Sequence, residues 1–307
     1  MPTDKPRAST STSTSPSSSA SAPADRLGTQ LAGLDTLEFS EVRRRPRLRR
    51  ILDGAWPKVV ALAIALGIWQ LVVLSGWKPP WLLPPPLTVF AELWQQTVDG
   101  DLLPAIGVTL RRAALGYGLA LAVGGVIGVL VVRSTTLRAA VGSLITGLQT
   151  MPSIAWFPLA ILLFQLSETA ILFVIVLGAA PSIANGLISG VDQVPPLLVR
   201  AGRVLGARGL AMYRYVMLPA ALPASVAGLK QGWAFAWRSL MAGELLVLIP
   251  GQRSIGAQLQ FSREFSDAPG LIAVMIVILT IGIVVDVALF SSLERAIRAR
   301  RGLVEAA

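Results

Sequence analysis

Arginine side chains supply the most prominent polar chemistry of this sequence. Four of them lie within residues 195–223, between two long apolar stretches: Arg200, Arg203, Arg208 and Arg214. A guanidinium costs about 2.5–3.5 kcal/mol at the centre of a membrane helix, whereas the flanking stretches are compatible with lipid. The sequence therefore predicts a basic loop, residues 192–223, on the cytoplasmic side of a membrane.

A second set of polar residues lies inside the apolar run 220–249 and includes Trp237, Arg238 and Glu244. Charges inside a membrane usually face a wet pathway, the bundle interior or a partner charge. Two interpretations stay open. Either these three residues line a solute pathway, or Arg238 pairs with Glu244 or Asp286 and only fixes the packing. In the first case the forked donors of Arg238 would suit an oxyanion.

Composition places the chain among membrane proteins. Hydrophobic residues make up 53% of the sequence, charged residues only 14%, and the mean hydropathy is +0.65. The net charge of +10 could suit nucleic acid, but the arginines fall between apolar runs, so membrane topology explains them better. Without Cys or His, thiol and imidazole chemistry is excluded. An intramembrane enzyme would then need an unusual Ser-Lys pair, or carboxylates alone as metal ligands. We expect neither: no catalytic residue, no metal site, no cofactor and no nucleic-acid partner.

Six apolar runs are long enough to cross a bilayer, which takes about 20 helical residues. They are residues 57–75, 113–132, 138–165, 169–190, 220–249 and 271–290. Small residues at four-residue spacing line one face of the second and fourth runs, which lets helix backbones approach closely. These faces are Gly116, Ala120, Gly124 and Gly128, and Gly178, Ser182, Gly186 and Gly190. We predict an all-α polytopic membrane protein with about six transmembrane helices.

The third apolar run contains two prolines, Pro152 and Pro158. Each removes a backbone hydrogen bond, so the helix should loosen there. Ser153 and Trp156 lie at this break and are two further candidates for the lining of the pathway.

Charge and composition divide the chain into four segments. We expect a disordered Ser/Thr/Pro-rich tail at 1–42, a basic juxtamembrane segment at 43–56, a transmembrane domain at 57–292 and a basic tail at 293–307. With both termini in the cytoplasm, the outer segments hold only five cations: Lys78, Arg111, Arg112, Arg253 and Arg263. Because positive charge concentrates inside, we predict a multi-pass protein of the cytoplasmic membrane with both termini cytoplasmic.

The stretch RAGRVLGARGLAMYRYVMLPAALP, residues 200–223, resembles the cytoplasmic "EAA" loop of ABC importer permeases. Ala201, Gly206, Leu218 and Pro219 match that pattern, whereas Arg200 and Gly202 stand where the family has Glu and its second Ala. The continuation GLKQGWAFAWRSLMAGELL and the upstream TMPSIAWFPLAILLFQLSE are similar to the nitrate, sulfonate and taurine branch, nearest to aliphatic sulfonate permeases.

The resemblance implies a type I ABC importer permease that forms a homodimer. It implies two cytoplasmic ATP-binding subunits and an extracytoplasmic solute-binding protein as partners. The sequence itself has no phosphate-binding loop, so force would arrive through two short helices, about 195–205 and 209–216, hinged at Gly206.

The residues expected to couple the permease to the ATPase are Arg200, Ala201, Gly202, Gly206, Ala207, Leu218 and Pro219. The implied solute is a small organic anion of the sulfonate, taurine or nitrate type. A thiamine-pyrimidine-like solute, or a secondary transporter of a small anion, stays an alternative.

Overall fold

The computed structural model describes residues 47–300 of the 307-residue chain. The predicted tail at 1–42, and the parts of 43–56 and 293–307 beyond these limits, lie outside the described residues. Two compact units are distinguished, Met1–Ile64 and Ala65–Ala307. Of the first unit, only residues 47–64 are described, and they are helical.

The described residues are almost entirely helical and contain no β-strand. The α-helices are α1 (Arg47–Leu74), α2 (Pro86–Val98), α3 (Leu102–Arg133), α4 (Thr135–Thr150), α5 (Phe157–Phe164), α6 (Glu168–Asp192), α7 (Pro196–Val204), α8 (Gly209–Met212), α9 (Leu218–Leu246), α10 (Ile255–Glu264), α11 (Ala268–Val285) and α12 (Ser292–Arg300). A 3₁₀ turn covers Ser153–Trp156, and π turns cover Tyr213–Met217 and Asp286–Ser291.

Within residues 47–300, four helices are long and apolar enough to cross a membrane, or five if one bent pair counts as a single span. They lie at Trp56–Leu74, Leu102–Arg133, Glu168–Asp192 and Ala268–Ile297, with the bent pair at Thr136–Thr150 and Ser153–Phe164. The prediction of an all-α multi-pass membrane protein is confirmed. The remaining predicted span, 220–249, corresponds to α9. That helix has 29 residues but is more polar, so its crossing stays a prediction.

The third apolar run is bent by 100° between α4 and the segment that leads into α5. The bend falls at Met151, which is extended at ψ 127° because the following Pro152 disfavours helical backbone there. Pro158 causes no break, because it lies in the first turn of α5, where the missing N–H is not needed. One of the two predicted weak points is therefore the real break.

The second apolar run starts earlier than predicted. Its helix, α3, begins at Leu102 and not near residue 113. The sequence boundary was set by Arg111 and Arg112, whose charges interrupt the apolar run. Arg112 is nevertheless only 1% exposed, because a carboxylate in another helix neutralises it.

Helix α6 lies at the centre of the core and packs against α3 and α9. A Cβ built on Gly124 of α3 would lie 2.5 Å from the carbonyl oxygen of Ala180 in α6. On another face of α6, Gly186 meets Gly228 of α9 backbone to backbone. Both predicted small-residue faces are confirmed as helix–helix contacts, and larger residues would force the helices apart.

Candidate functional site

The basic loop consists of the short helix α7, a turn at Gly206, and a second helical piece that begins at Gly209 and continues into α9. Helix α7 ends in a Schellman motif, in which the Ala207 N–H donates to the Gly202 carbonyl at 2.9 Å and the Gly206 N–H donates to the Arg203 carbonyl at 3.0 Å. Gly206 has a φ of +85°, a conformation that residues with a Cβ adopt at a cost. The predicted first helix and the turn at Gly206 are therefore confirmed. The second predicted short helix, 209–216, is not separate, because α8, the π turn and α9 form one uninterrupted helical stretch from Gly209 to Leu246.

Gly202 is small because the second helical piece packs directly on it. A Cβ at this position would lie 2.9 Å from Val216 Cγ2 and 3.2 Å from Met212 Sδ. An alanine, which the resemblance would place here, would require the side chains of Val216 and Met212 to shift. Gly202 thus allows a close contact between α7 and the second helical piece at this position.

The outer rim of the loop combines apolar and basic side chains. Val204 and Leu205 are each 87% exposed, and the neighbouring Arg200, Arg203 and Arg208 are exposed as well. Adjacent exposed apolar residues framed by charge are typical of interaction surfaces. The other predicted coupling residues are either exposed or half-buried: Ala201, Ala207, Leu218 and Pro219.

Two serines meet where the broken α4–α5 pair touches α6 and α9. A Cβ built on Gly178 would lie 2.6 Å from the Ser239 hydroxyl and 3.2 Å from the Ser153 Cβ. Ser239 is fully buried, and its hydroxyl has no hydrogen-bond partner among the described residues. Ser153, a predicted pathway residue, therefore lies beside Gly178 of α6, close to the buried Ser239 of α9.

The two predicted pathway tryptophans are both half-buried. Trp156 packs against the main core cluster. Trp237 stacks on Trp233 with ring centroids 5.9 Å apart and lines an open, mostly apolar cavity of about 600 Å³ between α9, α10 and α11. Ser153 does not line that cavity.

Arg238 is exposed and forms no ion pair with any other residue between 47 and 300. The carboxylates considered as its partners have other cations. Glu244 pairs with Arg112 at 3.0 Å, and Asp286 pairs with Lys230 at 2.9 Å. In this conformation neither carboxylate pairs with Arg238, so the packing interpretation has no ion pair to support it. The pathway interpretation stays a prediction.

Glu244 lies at the centre of a buried polar network. Besides Arg112, its carboxylate accepts hydrogen bonds from the Thr109 hydroxyl at 2.9 Å and the Gly256 N–H at 3.0 Å. Arg112 also donates to Gln252 at 2.5 Å. The network joins α3, α9 and α10. The Glu244 carboxylate is 0% exposed here. The pathway role predicted for it stays a prediction.

Sequence reasoning missed this network because it treated the charges separately. Arg111 pairs with Glu168 at 2.8 Å, and Arg112 pairs with Glu244, 132 positions away. The sequence did contain a usable signal. Arg111 and Arg112 precede the apolar run 113–132, and a glutamate lies at the predicted outer end of two other runs: Glu168 before 169–190 and Glu244 near the end of 220–249. Opposite charges placed at one end of neighbouring membrane helices tend to find each other.

These features define a class first: a helical, multi-pass membrane protein with a basic loop between two core helices. Residues 89–299 match the family described as binding-protein-dependent transport system inner membrane component, and the chain belongs to that family. It is therefore a permease of the ABC importer type, a transport component and not an enzyme.

Curated relatives are permeases of the branch that the sequence resembles. The chain is 28% identical over 268 residues to the taurine transport system permease protein of Escherichia coli, covering 83% of this chain and 96% of the relative. It is 29% identical over 246 residues to a protein named as an aliphatic sulfonates transport permease in Bacillus subtilis (80% and 87% covered). It is 31% identical over 222 residues to the nitrate import permease protein of Synechococcus elongatus (67% and 77% covered).

A solved structure with the same fold is that of a methionine ABC transporter in an inward-facing conformation. It aligns with a TM-score of 0.56 over 66% of this chain and 98% of the matched chain, at 19% sequence identity. At that identity the likeness concerns the fold alone.

Proposed function

We propose that this chain is the permease subunit of an ATP-driven importer for a small anionic solute of the sulfonate, taurine or nitrate type. Two copies would enclose one path through the cytoplasmic membrane. Two cytoplasmic ATP-binding subunits would drive it, and a solute-binding protein outside the membrane would deliver the solute. Family membership and the names of the relatives support this proposal.

The structure of the basic loop is the observation that supports the proposal that ATP drives transport. Its two helical pieces are held by the Schellman motif at Gly206 and by the contact of Gly202 with Val216. A loop held by these contacts can transmit a movement of a bound subunit to the membrane helices. Its exposed Val204, Leu205 and arginines suit a cleft on another subunit. ATP binding would draw the two loops of a dimer together and open the path outward. Hydrolysis would reset it, a shift between two states.

Co-purification tests this part directly. The chain should purify with the cognate ATP-binding subunit, and the complex should hydrolyse ATP faster when the loaded solute-binding protein is added. A chain that purifies without any ATPase and still accumulates solute from an ion gradient would instead be a secondary transporter.

Arg238 supports an anionic solute. It lies 20 residues after Leu218, the start of α9, which corresponds to about 30 Å along the helix. If α9 begins at the cytoplasmic face, Arg238 lies in the outer part of the membrane, where an outward-open path would expose it. Its guanidinium offers forked donors to sulfonate, nitrate or similar oxygens.

Arg238→Met should lower uptake of the anionic solute about tenfold or more, because it removes charge-assisted hydrogen bonds and keeps only an unbranched apolar stem. Uptake into proteoliposomes that contain the complete transporter is the measurement. Arg238→Lys should retain part of the activity, since it keeps the charge and loses the fork. Arg263→Met is a matched control, because Arg263 is an exposed cation in α10, next to the predicted outer loops. Wild-type uptake by a folded Arg238→Met protein would contradict the solute contact.

The topology is likewise proposed, with the segments 1–42, 43–56 and 293–307 cytoplasmic and 57–292 forming the permease domain. Single cysteines can report it, because the chain has none. Leu82→Cys, in a 49% exposed position, should react with an impermeant thiol reagent applied to intact cells. Leu210→Cys, in a 69% exposed position of the basic loop, should react only after permeabilisation. The reverse pattern would invert the orientation.

A further inference from the structure

We propose that Gln149 and Asn185 form a solute-contact site in the cytoplasmic half of the path, where their amide N–H groups bind oxygen atoms of the passing anion. This inference rests on the proposed function and names a second contact, separate from Arg238.

The two amides lie side by side on α4 and α6. Asn185 Nδ2 donates to Gln149 Oε1 at 3.5 Å, and Gln149 Nε2 donates to the Ser182 hydroxyl at 3.1 Å. Each amide nitrogen carries two hydrogens, so each keeps one N–H that has no acceptor among the described residues. Two neighbouring neutral donors match two oxygens of one sulfonate or nitrate. A few convergent polar groups in a largely apolar surround are characteristic of small-molecule sites.

The exposure pattern of α6 points to the same position. From Ala170 to Val191, Asn185 is the one residue of this helix that is exposed, whereas its neighbour Ser182 is 1% exposed. Asn185 lies seven residues before the helix ends at Asp192, or about 10 Å inside that end. An amide turned toward acyl chains at this depth would lose hydrogen bonds worth several kcal/mol. The single opening in the central helix therefore faces water or a polar molecule.

A second polar point lies on the same side of α6, two helical turns away. Gly178, where Ser153 meets the unpartnered hydroxyl of Ser239, precedes Asn185 by seven residues, and residues seven apart share a helix face. Ser239 directly follows Arg238 in α9. The amide pair and the two serines thus lie along one face of α6.

Accessibility of position 185 tests the wet face without relying on transport. Asn185→Cys, in the otherwise cysteine-free chain, should react with a charged methanethiosulfonate about tenfold or more faster than Leu162→Cys. Leu162 is a matched control because it is 79% exposed on the apolar helix α5. Taurine or nitrate at saturating concentration should slow the reaction at position 185. Reaction as slow as that of Leu162→Cys would overturn the site, and so would the absence of protection by an anion that the wild-type complex carries.

Asn185→Asp separates solute contact from simple helix packing. The Gln149 amide can rotate so that its N–H donates to the new carboxylate and its oxygen accepts from Ser182. The helix contact and the melting temperature should therefore be kept, while the added negative charge repels the anion. Uptake of taurine or nitrate should fall about tenfold or more.

Wild-type uptake by the Asp variant would overturn the contact. If the wild-type complex itself carries no anion, the proposed solute class fails, and the cysteine reaction alone then decides whether Asn185 faces the path.

Discussion

Gly206→Val is expected to reduce ATP-dependent uptake about tenfold or more, although the chain still inserts and folds. The φ of Gly206 is +85°, where a β-branched residue is strained by about 1–3 kcal/mol. Strain of that size lowers the population of the loop conformation roughly 5- to 150-fold. A Cβ at Gly206 would meet nothing within 4 Å, so the effect would come from the backbone and not from a clash.

Because a side chain at position 206 would contact no other residue, a second substitution can serve as a matched control. Gly206→Asn also adds a side chain, but asparagine tolerates the left-handed conformation and should keep most of the activity. ATPase stimulation by the loaded solute-binding protein and uptake are measured on the same proteoliposomes. Valine and asparagine variants that behave alike, both active, would show that the loop conformation does not couple ATP hydrolysis to transport.

The turn of the loop was predictable from sequence because Gly206 acts on its own stretch of backbone. The prolines at 219 and 223 were expected to begin the fifth span, but they lie inside a helical stretch that already starts at Gly209. The break in the third apolar run was half predictable for the same reason. Sequence marks both Pro152 and Pro158, but only the helix start at Phe157 shows that Pro158 is harmless.

The buried network was not predictable to the same degree, because its members are far apart in the chain. Thr109 and Glu244 are separated by 135 positions, and Gln252 and Gly256 are uncharged residues with no pattern of their own. The meaning of Arg112 changes completely once its partner is known. Taken alone, Arg112 marks the N-terminal limit of the apolar run 113–132. Because Glu244 neutralises it, α3 can include Arg112 and begin more than two turns earlier, at Leu102. Burial of charge is a property of the pair.

Glu244→Leu is expected to lower the free energy of unfolding by about 3–5 kcal/mol, because it leaves the Arg112 guanidinium buried without a counter-charge. Thermal unfolding of the purified protein in detergent or lipid nanodiscs measures the change. Arg253→Met is the matched control on the same side of the bundle. Arg253 pairs with Asp101, but the two side chains are 67% and 55% exposed, so the loss should stay below about 1 kcal/mol.

The double variant Arg112→Met/Glu244→Leu distinguishes a charge effect from a packing effect. Apolar residues of similar size often replace a buried ion pair at little cost, so the double variant should recover much of the stability that Glu244→Leu loses. A double variant no more stable than Glu244→Leu would assign the loss to packing around α10. In that case the hydrogen bond that the Gly256 N–H donates to Glu244 holds α10 against α9, the bond from Thr109 joins α3 to α9, and the ion pair is secondary.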